Sequence, residues 1–261
     1  MKTGILITAR LGSTRLKRKH LLEVNGHPLE LYLIKRIQSE FADEIKDRNV
    51  ELIIATTDEL ENREFEAFCE HGVAVFYGSI NNIPLRHLQA ARTHVLDNIV
   101  SIDGDDILCS IKGMRRVYEA LAKGTNYVNT INLPLGMNSF GYTSAFLESS
   151  LAGYDRDTLE TGWGRIFNPK ELVSIDIPFG VQDDLLRFTL DYDEDYLFFK
   201  ALIETLGERV YTVSDKEVID LVMNKELYKI TEPVARQYWD NFYRSMEEEK
   251  KSSSTVNQNK A

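Results

Sequence analysis

The sequence predicts an α/β fold in which a mostly parallel sheet is covered by helices on both faces. Three observations lead there. From Gly4 to Lys123, short apolar runs alternate with segments of helical length, the pattern of successive strand–helix units. The second run, Val50 to Thr56, reads VELIIAT and lacks polar alternation, as expected of a strand covered on both sides. The composition is that of an ordinary globular chain: 261 residues, 43% hydrophobic, 28% charged, with 15 Gly and 6 Pro. This excludes collagen-like and largely disordered classes. A chain of this length buries one sizeable core, so residues 1–250 read as a single domain.

The first strand begins at Gly4 and runs straight into Arg10 to Lys19, where five of ten residues are Arg or Lys although the chain carries a formal net charge of -10. So much positive charge at the end of a buried strand calls for an anion. In an open α/β sheet, ligands sit outside the carboxyl ends of the strands, and the small-residue turn Gly12-Ser13-Thr14 lets backbone N–H groups approach phosphate oxygens. Arg10 and Arg15 can fork onto phosphate, and Lys19 adds a point charge. Neither GxxxxGK[ST] nor GxGxxG is present. Spacing alone leaves a solvated basic turn as the alternative, which the position directly after a strand disfavours.

After the loop, His20 to Val24 leads to an Asn25-Gly26 turn, and Pro28 opens a helix over Leu29 to Phe41 with Leu29, Leu33, Ile34 and Ile37 on its apolar face. Thr57-Asp58 caps a charged helix from Glu59 to His71. Val73 to Phe76 is a third strand, followed by Tyr77-Gly78-Ser79 and a helix over Leu85 to Leu96. The next strand, Asn98 to Ile102, ends in Asp103-Gly104-Asp105-Asp106. Three carboxylates around one glycine repel one another unless a cation or a hydrogen-bond network sits among them. They also suit the acidic first turn of a helix over Ile107 to Lys123, and spacing leaves both readings open. Right-handed crossovers place the ends of all these strands on one edge of the sheet.

From Thr125 the pattern changes. Strands are expected at Asn126 to Asn132, Leu172 to Ile177, Arg187 to Asp191 and Val210 to Val213, with Asn138 to Glu148 left unassigned. A helix from Glu194 to Leu206, one from Asp215 and a charged one from Pro233 to about Lys250 precede a tail, 251–261, whose composition predicts disorder. Cys69 and Cys109 form neither a metal pattern nor a disulfide framework and are expected to be buried small hydrophobes. The apolar run in MKTGILIT is too short for a signal peptide or membrane span, so a cytoplasmic location is expected. The acidic net charge argues against nucleic acid and anionic membrane as partners.

The loop pattern A-R-x-G-S-T-R-L-x-x-K resembles the signature loop of cytidylyltransferases that activate acidic sugars. The likeness is to the 3-deoxy-manno-octulosonate cytidylyltransferase-like group and, within it, the spore-coat polysaccharide biosynthesis protein F family. The ATTD segment at Ala55 to Asp58, the Gly78, Ser79, Leu85 and Arg86 pattern and RFTLDYDEDY from Arg187 resemble the same family. Departures are Leu16-Lys17-Arg18-Lys19 for the usual Leu-Pro-Gly-Lys, Phe140 for an acidic residue and Glu160-Thr161 for a Glu-His pair.

The resemblance implies a Rossmann-like nucleotidyltransferase sheet with a small substrate and dimer arm at roughly 125–180. It implies CTP as substrate, a small acidic acceptor, Mg²⁺ as cofactor and a homodimer. Arg10, Arg15 and Lys19 would hold the β and γ phosphates, and Ala9, Leu11, Gly12, Ser13, Thr56, Gly78, Ser79 and Asp103 would complete the nucleotide site. Asp105 and Asp191 would hold Mg²⁺, and Gly136, Phe140, Arg165 and Arg187 would meet the acceptor. Such transfer relies on positioning and electrostatics, so none of the five histidines is assigned a catalytic role. Asp103-Gly104-Asp105 also fits a sugar-nucleotide-dependent glycosyltransferase, although that chemistry gives the ARLGSTR loop no γ phosphate to grip. A binding protein that has kept the fold and lost the chemistry is the other alternative, motivated by Phe140 and Thr161.

Overall fold

The computed structural model describes residues 1–154, 158–179, 186–235, 237, 238, 241, 244, 245 and 247. Strand β1 is Thr3–Thr8, and the hairpin β2 (Glu23–Val24) and β3 (His27–Pro28) follows the basic loop. Asn25 and Gly26 turn that hairpin with φ of 51° and 76°, as the primed two-residue turns require. Then come α1 (Leu29–Glu40), α2 (Ala42–Lys46), β4 (Val50–Thr57), β5 (Ala74–Gly78), α3 (Ile83–His94) and β6 (Asn98–Asp103). The chain continues with α4 (Ile111–Ala122), β7 (Tyr127–Ile131), β8 (Phe140–Thr143), α5 (Ser144–Ala152), β9 (Leu172–Asp176), α6 (Asp193–Leu206) and α7 (Asp215–Asn224).

The main sheet has seven strands in the order β5-β4-β1-β6-β8-β7-β9. Only β8 runs against its neighbours, pairing antiparallel with both β6 and β7. The chain moves outward from β1 through β4 to β5 and then returns to place β6 on the other side of β1. This is the switch point at which doubly wound sheets open a crevice. Thr8 and Asp103 are register partners there.

Two apolar layers follow the period of two along the central strands. Ile5, Ile7, Leu52, Ile54, Val100 and Ile102 pack with α1 and α4 residues, whereas Leu6, Ile53, Ala55 and Ile99 face α3 and α5. Each of these ten side chains is at most 2% exposed. A third cluster joins α6 and α7 to Leu29, Tyr32, Ile107 and Leu108. Asp215 ties this cluster to the sheet. It accepts hydrogen bonds from Ser110 Oγ (2.5 Å) and the backbone N–H groups of Ile111 (3.2 Å) and Lys112 (3.1 Å), and Arg36 lies 3.6 Å from it. That capping, with Ser110 Oγ accepting from Gly113 N at 2.8 Å, starts α4 at Ile111 rather than Ile107.

Other boundaries depart from expectation. Leu60–His71 is helical but wound as 3₁₀. Phe140–Thr143 and Ser144–Ala152 resolve the unassigned stretch as strand then helix. Arg187 to Asp191 is not a strand: it makes an isolated bridge to Leu135, and its backbone bonds go to loop carbonyls instead of a ladder. Val210 to Val213 is likewise no strand, because Gly207–Tyr211 closes as a 3₁₀ turn after α6. Cys109 is buried, but Cys69 is exposed, since the 3₁₀ winding turns it outward. Half of the residues expected to form a helix from Pro233 to Lys250, and all of the tail, lie outside the described residues.

The Leu135 bridge rests on glycine. Gly136 has φ of 84°, and a Cβ there would lie 2.4 Å from the carbonyl carbon of Phe188. Gly136→Ala is therefore expected to destabilise by about 1–3 kcal/mol or more, because strain and a backbone clash add. Gly124→Ala, at φ of 94° with nothing within 4 Å, isolates the conformational part. Urea midpoints should place the first variant below the second, and equal midpoints would show that the clash is relieved.

Candidate active site

The ends of β1 and β6, the basic loop and the segment after β8 enclose a cleft of about 980 Å³. The loop is pinned at its start by Asn62, which is fully buried. Leu11 N donates to Asn62 Oδ1 (2.8 Å), while Asn62 Nδ2 donates to Thr57 O (3.2 Å) and Thr57 Oγ1 (2.7 Å). The loop is thereby tied to the end of β4. Ser13 N returns to Leu11 O at 2.8 Å, and Arg18, at φ of 53°, turns the chain into a short 3₁₀ segment that drops Lys19 into the floor. On the other side of the switch point, Gly104 N donates to Thr8 O at 2.9 Å. A Cβ on Gly104 would meet Ala9, His20 and Glu30 at 2.9 to 3.2 Å, so glycine lets the acidic tip close against β1.

The floor is organised around one ammonium. Lys19 Nζ lies 2.7 Å from Asp105 Oδ2 and 3.0 Å from Asp191 Oδ1. Burial opposes its charge, but the two carboxylates outweigh it and raise its pKa above the ordinary lysine value. Arg15 reaches Asp191 Oδ1 at 2.6 Å, and Arg187 reaches Asp191 Oδ2 at 3.3 Å. Burial likewise opposes ionisation of Asp191, yet Lys19, Arg15 and Arg187 hold its carboxyl well below the usual range. Asp195 stands behind, accepting from Arg187 Nε (2.8 Å) and Nη2 (2.9 Å) and from the backbone N–H groups of Asp191 (2.8 Å) and Tyr192 (3.0 Å). Asp103 opens into the cleft yet is walled round by protein. Those surroundings, with Asp105 next, push its carboxyl up to about 7.

Among the described residues, no group of three or more His, Cys, Asp or Glu side chains is arranged to hold a metal. Two carboxylates nevertheless converge on a single cation, which here is the Lys19 ammonium. An oxygen-only pair is a donor set that suits Mg²⁺, which takes one or two carboxylates and completes its shell with phosphate and water.

Of the residues singled out in the sequence, Ala9, Arg10, Gly12, Ser13, Arg15, Lys19, Asp103, Asp105, Phe140, Arg165 and Asp191 all line the cleft. Arg10 pairs across it with Glu160 at 2.9 Å. The others lie elsewhere. Leu11 is buried beneath the loop, Thr56 is buried in β4, Gly78 and Ser79 lie at the end of β5 outside the wall, and Gly136 is packed under Phe188. Arg187 is 2% exposed and committed to Asp191 and Asp195, so it braces the floor rather than forming part of it.

The sequence placed Glu160 and Trp163 near the acceptor, and both stand in the opposite wall, but sequence reasoning missed Tyr127 there and Asn241, Arg244 and Ser245 from the C-terminal segment. Arg86, which donates to the carbonyls of Ser79 (2.8 Å) and Ile80 (3.1 Å), also lines the cleft. Arg86 and Glu160 carried a signal as members of matched motifs. Asn241 reaches the site through Tyr192, donating to its hydroxyl at 2.9 Å, and Tyr192 in turn lies under Arg15, 5.5 Å from ring to guanidinium.

A Rossmann-like sheet whose switch point faces a basic loop with an acidic strand tip defines a nucleotidyltransferase. The chain belongs to the cytidylyltransferase family: the family model described as Cytidylyltransferase matches residues 4–150. It is 29% identical over 225 residues to the spore coat polysaccharide biosynthesis protein SpsF of Bacillus subtilis, covering 83% of this chain and 92% of that protein. It is 28% identical over 256 residues to an uncharacterized protein of Methanocaldococcus jannaschii, covering 95% and 100%. A cytidylyltransferase structure from Leptospira borgpetersenii superposes with a TM-score of 0.72 at 25% identity, over 87% of this chain and 96% of that one. A structure of CMP:2-keto-3-deoxy-manno-octonic acid synthetase complexed with CTP shares the fold, with a TM-score of 0.55 at 14% identity over 78% and 99%. No helix among the described residues is long and apolar enough to cross a membrane.

The floor makes a prediction about acid stability. The folded pKa of Asp191 lies below its unfolded value, so its contribution is present above about pH 4 and is lost as pH falls through the depressed value. Asp191→Asn should lower stability at pH 7 and flatten the acid limb below about pH 4. Urea midpoints across that range check it, and an unchanged acid limb would show that Asp191 does not anchor the cations.

Proposed function

We propose that the protein transfers the cytidylyl group of CTP to a small acidic acceptor, releasing pyrophosphate, in surface polysaccharide or related biosynthesis. The observation that carries this reading is the meeting of the Arg10 to Lys19 loop with Asp105 and Asp191 in one cleft at the switch point. Family membership and the SpsF relative support the nucleotide and the pathway class.

In this reading an acceptor oxygen attacks the α-phosphorus in line with the departing pyrophosphate. Arg10, Arg15 and Lys19 hold the β and γ phosphates, which draws them from Glu160, Asp191 and Asp105. Ser13 and the Gly12 turn add neutral donors. The freed carboxylates of Asp105 and Asp191 would hold Mg²⁺, which supplies Lewis-acid charge neutralisation and a template. Arg187 and Asp195 keep Asp191 aimed while its cations exchange.

Arg165, Phe140 and Trp163 form the wall left for the acceptor. Phe140 and Thr161 stand in this lining where the family resemblance calls for an acidic residue and a histidine, so 3-deoxy-manno-octulosonate itself is expected to be a poor acceptor. Another acidic sugar, or a small phosphonate or phosphate ester, fits better. A homodimer through the 125–180 arm fits the sheet edge, where β9 is terminal and Ile131 and Val173 are 37% and 48% exposed.

The test is pyrophosphate release from CTP, ATP, GTP and UTP against keto-acid sugars, sugar phosphates and phosphonates. CTP with Mg²⁺ is expected to raise Tm by mass action and to support turnover. Preference for another nucleotide would overturn the assignment, and strong turnover of 3-deoxy-manno-octulosonate would overturn the reading of the acceptor wall. Asp105→Asn and Asp191→Asn should each lose most turnover at saturating Mg²⁺, since a carboxamide is a poorer ligand. Near-normal activity in either removes that residue from the metal site.

A further inference from the structure

Thr8 ends β1 on the face turned toward α3 and lines the cleft. Behind it stands a relay that the phosphate chemistry does not use. Thr8 Oγ1 lies 2.7 Å from His87 Nε2, and His87 Nδ1 lies 2.5 Å from the Tyr142 hydroxyl. His87 and Tyr142 are both 0% exposed. Trp163 of the cleft wall packs edge-on against both rings, with centroids 5.7 and 6.2 Å away.

The relay has a direction. Burial, with Arg86 adding to it, pushes His87 down to about 3, so its imidazole is neutral with one N–H and one lone pair. Two hydroxyls compete for that lone pair. A phenol is by its ordinary chemistry a better donor than an alcohol, and Tyr142 makes the shorter bond, 2.5 Å against 2.7 Å. Burial raises the Tyr142 pKa against a hydrogen bond from Ser101 to the phenol oxygen, so the phenol keeps its own proton to donate. Tyr142 therefore donates to Nδ1, and His87 carries its proton on Nε2 and donates to Thr8 Oγ1. The proton of Thr8 is left over, and among the described residues no protein acceptor takes it.

We propose that Thr8 is a one-way hydrogen-bond donor to the ligand in the cleft, selecting an unprotonated oxygen or ring nitrogen, with His87 and Tyr142 as positioning residues. This rests on reading the cleft as the CTP and acceptor site. Either ligand offers such an atom, and cytosine differs from uracil in presenting an unprotonated N3.

The relay is tested first without ligand. Imidazole ¹H–¹⁵N spectra should show His87 as the Nε2–H tautomer between about pH 6 and 8, the range in which an exposed histidine would titrate. Tyr142→Phe should shift His87 toward Nδ1 protonation, because the lone pair then falls to Thr8. An Nδ1–H tautomer in the wild type overturns the relay, whether or not the protein uses CTP.

The second test is kinetic. Thr8→Val should raise one KM by about 3- to 10-fold, the worth of one neutral hydrogen bond, while Thr8→Ser retains the wild-type value. A rise for CTP, with weaker discrimination against UTP, places the donor on the nucleotide. A rise confined to the acceptor places it there. Unchanged KM values in Thr8→Val, with wild-type turnover of CTP intact, overturn the donor role and leave the functional reading standing. A wild type that ignores CTP removes that reading, and the tautomer then decides the relay.

Discussion

The site depends on the Lys19 ammonium between Asp105 and Asp191. Those carboxylates come from distant parts of the chain, one on the tip after β6 and one ahead of α6, and each would repel the other without cations between them. Separating Lys19 from both carboxylates leaves its buried ammonium unpaired, at a cost on the order of 3–5 kcal/mol. Backbone bonds reinforce the junction, since Leu190 N donates to Asp105 O at 2.9 Å. The ion triad therefore acts both as chemistry and as the seam that joins the C-terminal helices to the sheet. Arg36 and Asp215 make a second seam on the far side of α1, also wholly buried.

The apolar core explains why the seam can be polar. Every central strand places its side chains alternately into two dry layers, so the register of β1 against β4 and β6 is fixed without help from the site. Strand ends, where that constraint lapses, are free to carry charge. Gly104 shows how closely the two requirements meet, because any side chain there would push β6 away from β1 or disturb His20 and Glu30.

Much of this was legible in the chain. The apolar runs are strand-length, the Asn-Gly and Pro signals are local, and charge at a strand end has few structural uses, so the sheet's first half and the basic loop could be read directly, whereas Asp105 and Asp191 were assigned through the family resemblance. What failed was long-range. Arg187 to Asp191 alternates like a strand, but its neighbours are loops, and no local pattern records that absence. Arg187 looked like a ligand group because a lone arginine near an acidic motif cannot be told from one buried beneath it; only the bonds to Asp195 decide. Asn241 and Arg244 reach the cleft by way of Tyr192, a contact across about 50 residues that carries no motif. His87 was given no role because transfer of this kind needs no histidine; its meaning lies in the hydroxyls on either side.

The reversed strand β8 has a consequence for how such a scaffold diversifies. Because β8 runs opposite to β6, its first residue, Phe140, arrives at the same edge as the last residues of the parallel strands, paired with Ser101 and Asn129. The wall opposite the basic loop is thus built from chain that enters and leaves a strand, while the loop and tip that grip phosphate belong to strands set before it. Insertions or substitutions ahead of Phe140, or between α5 and β9, can recast one half of the pocket while the other half stays in register. Descent with a constant donor and a changing recipient needs no more than that.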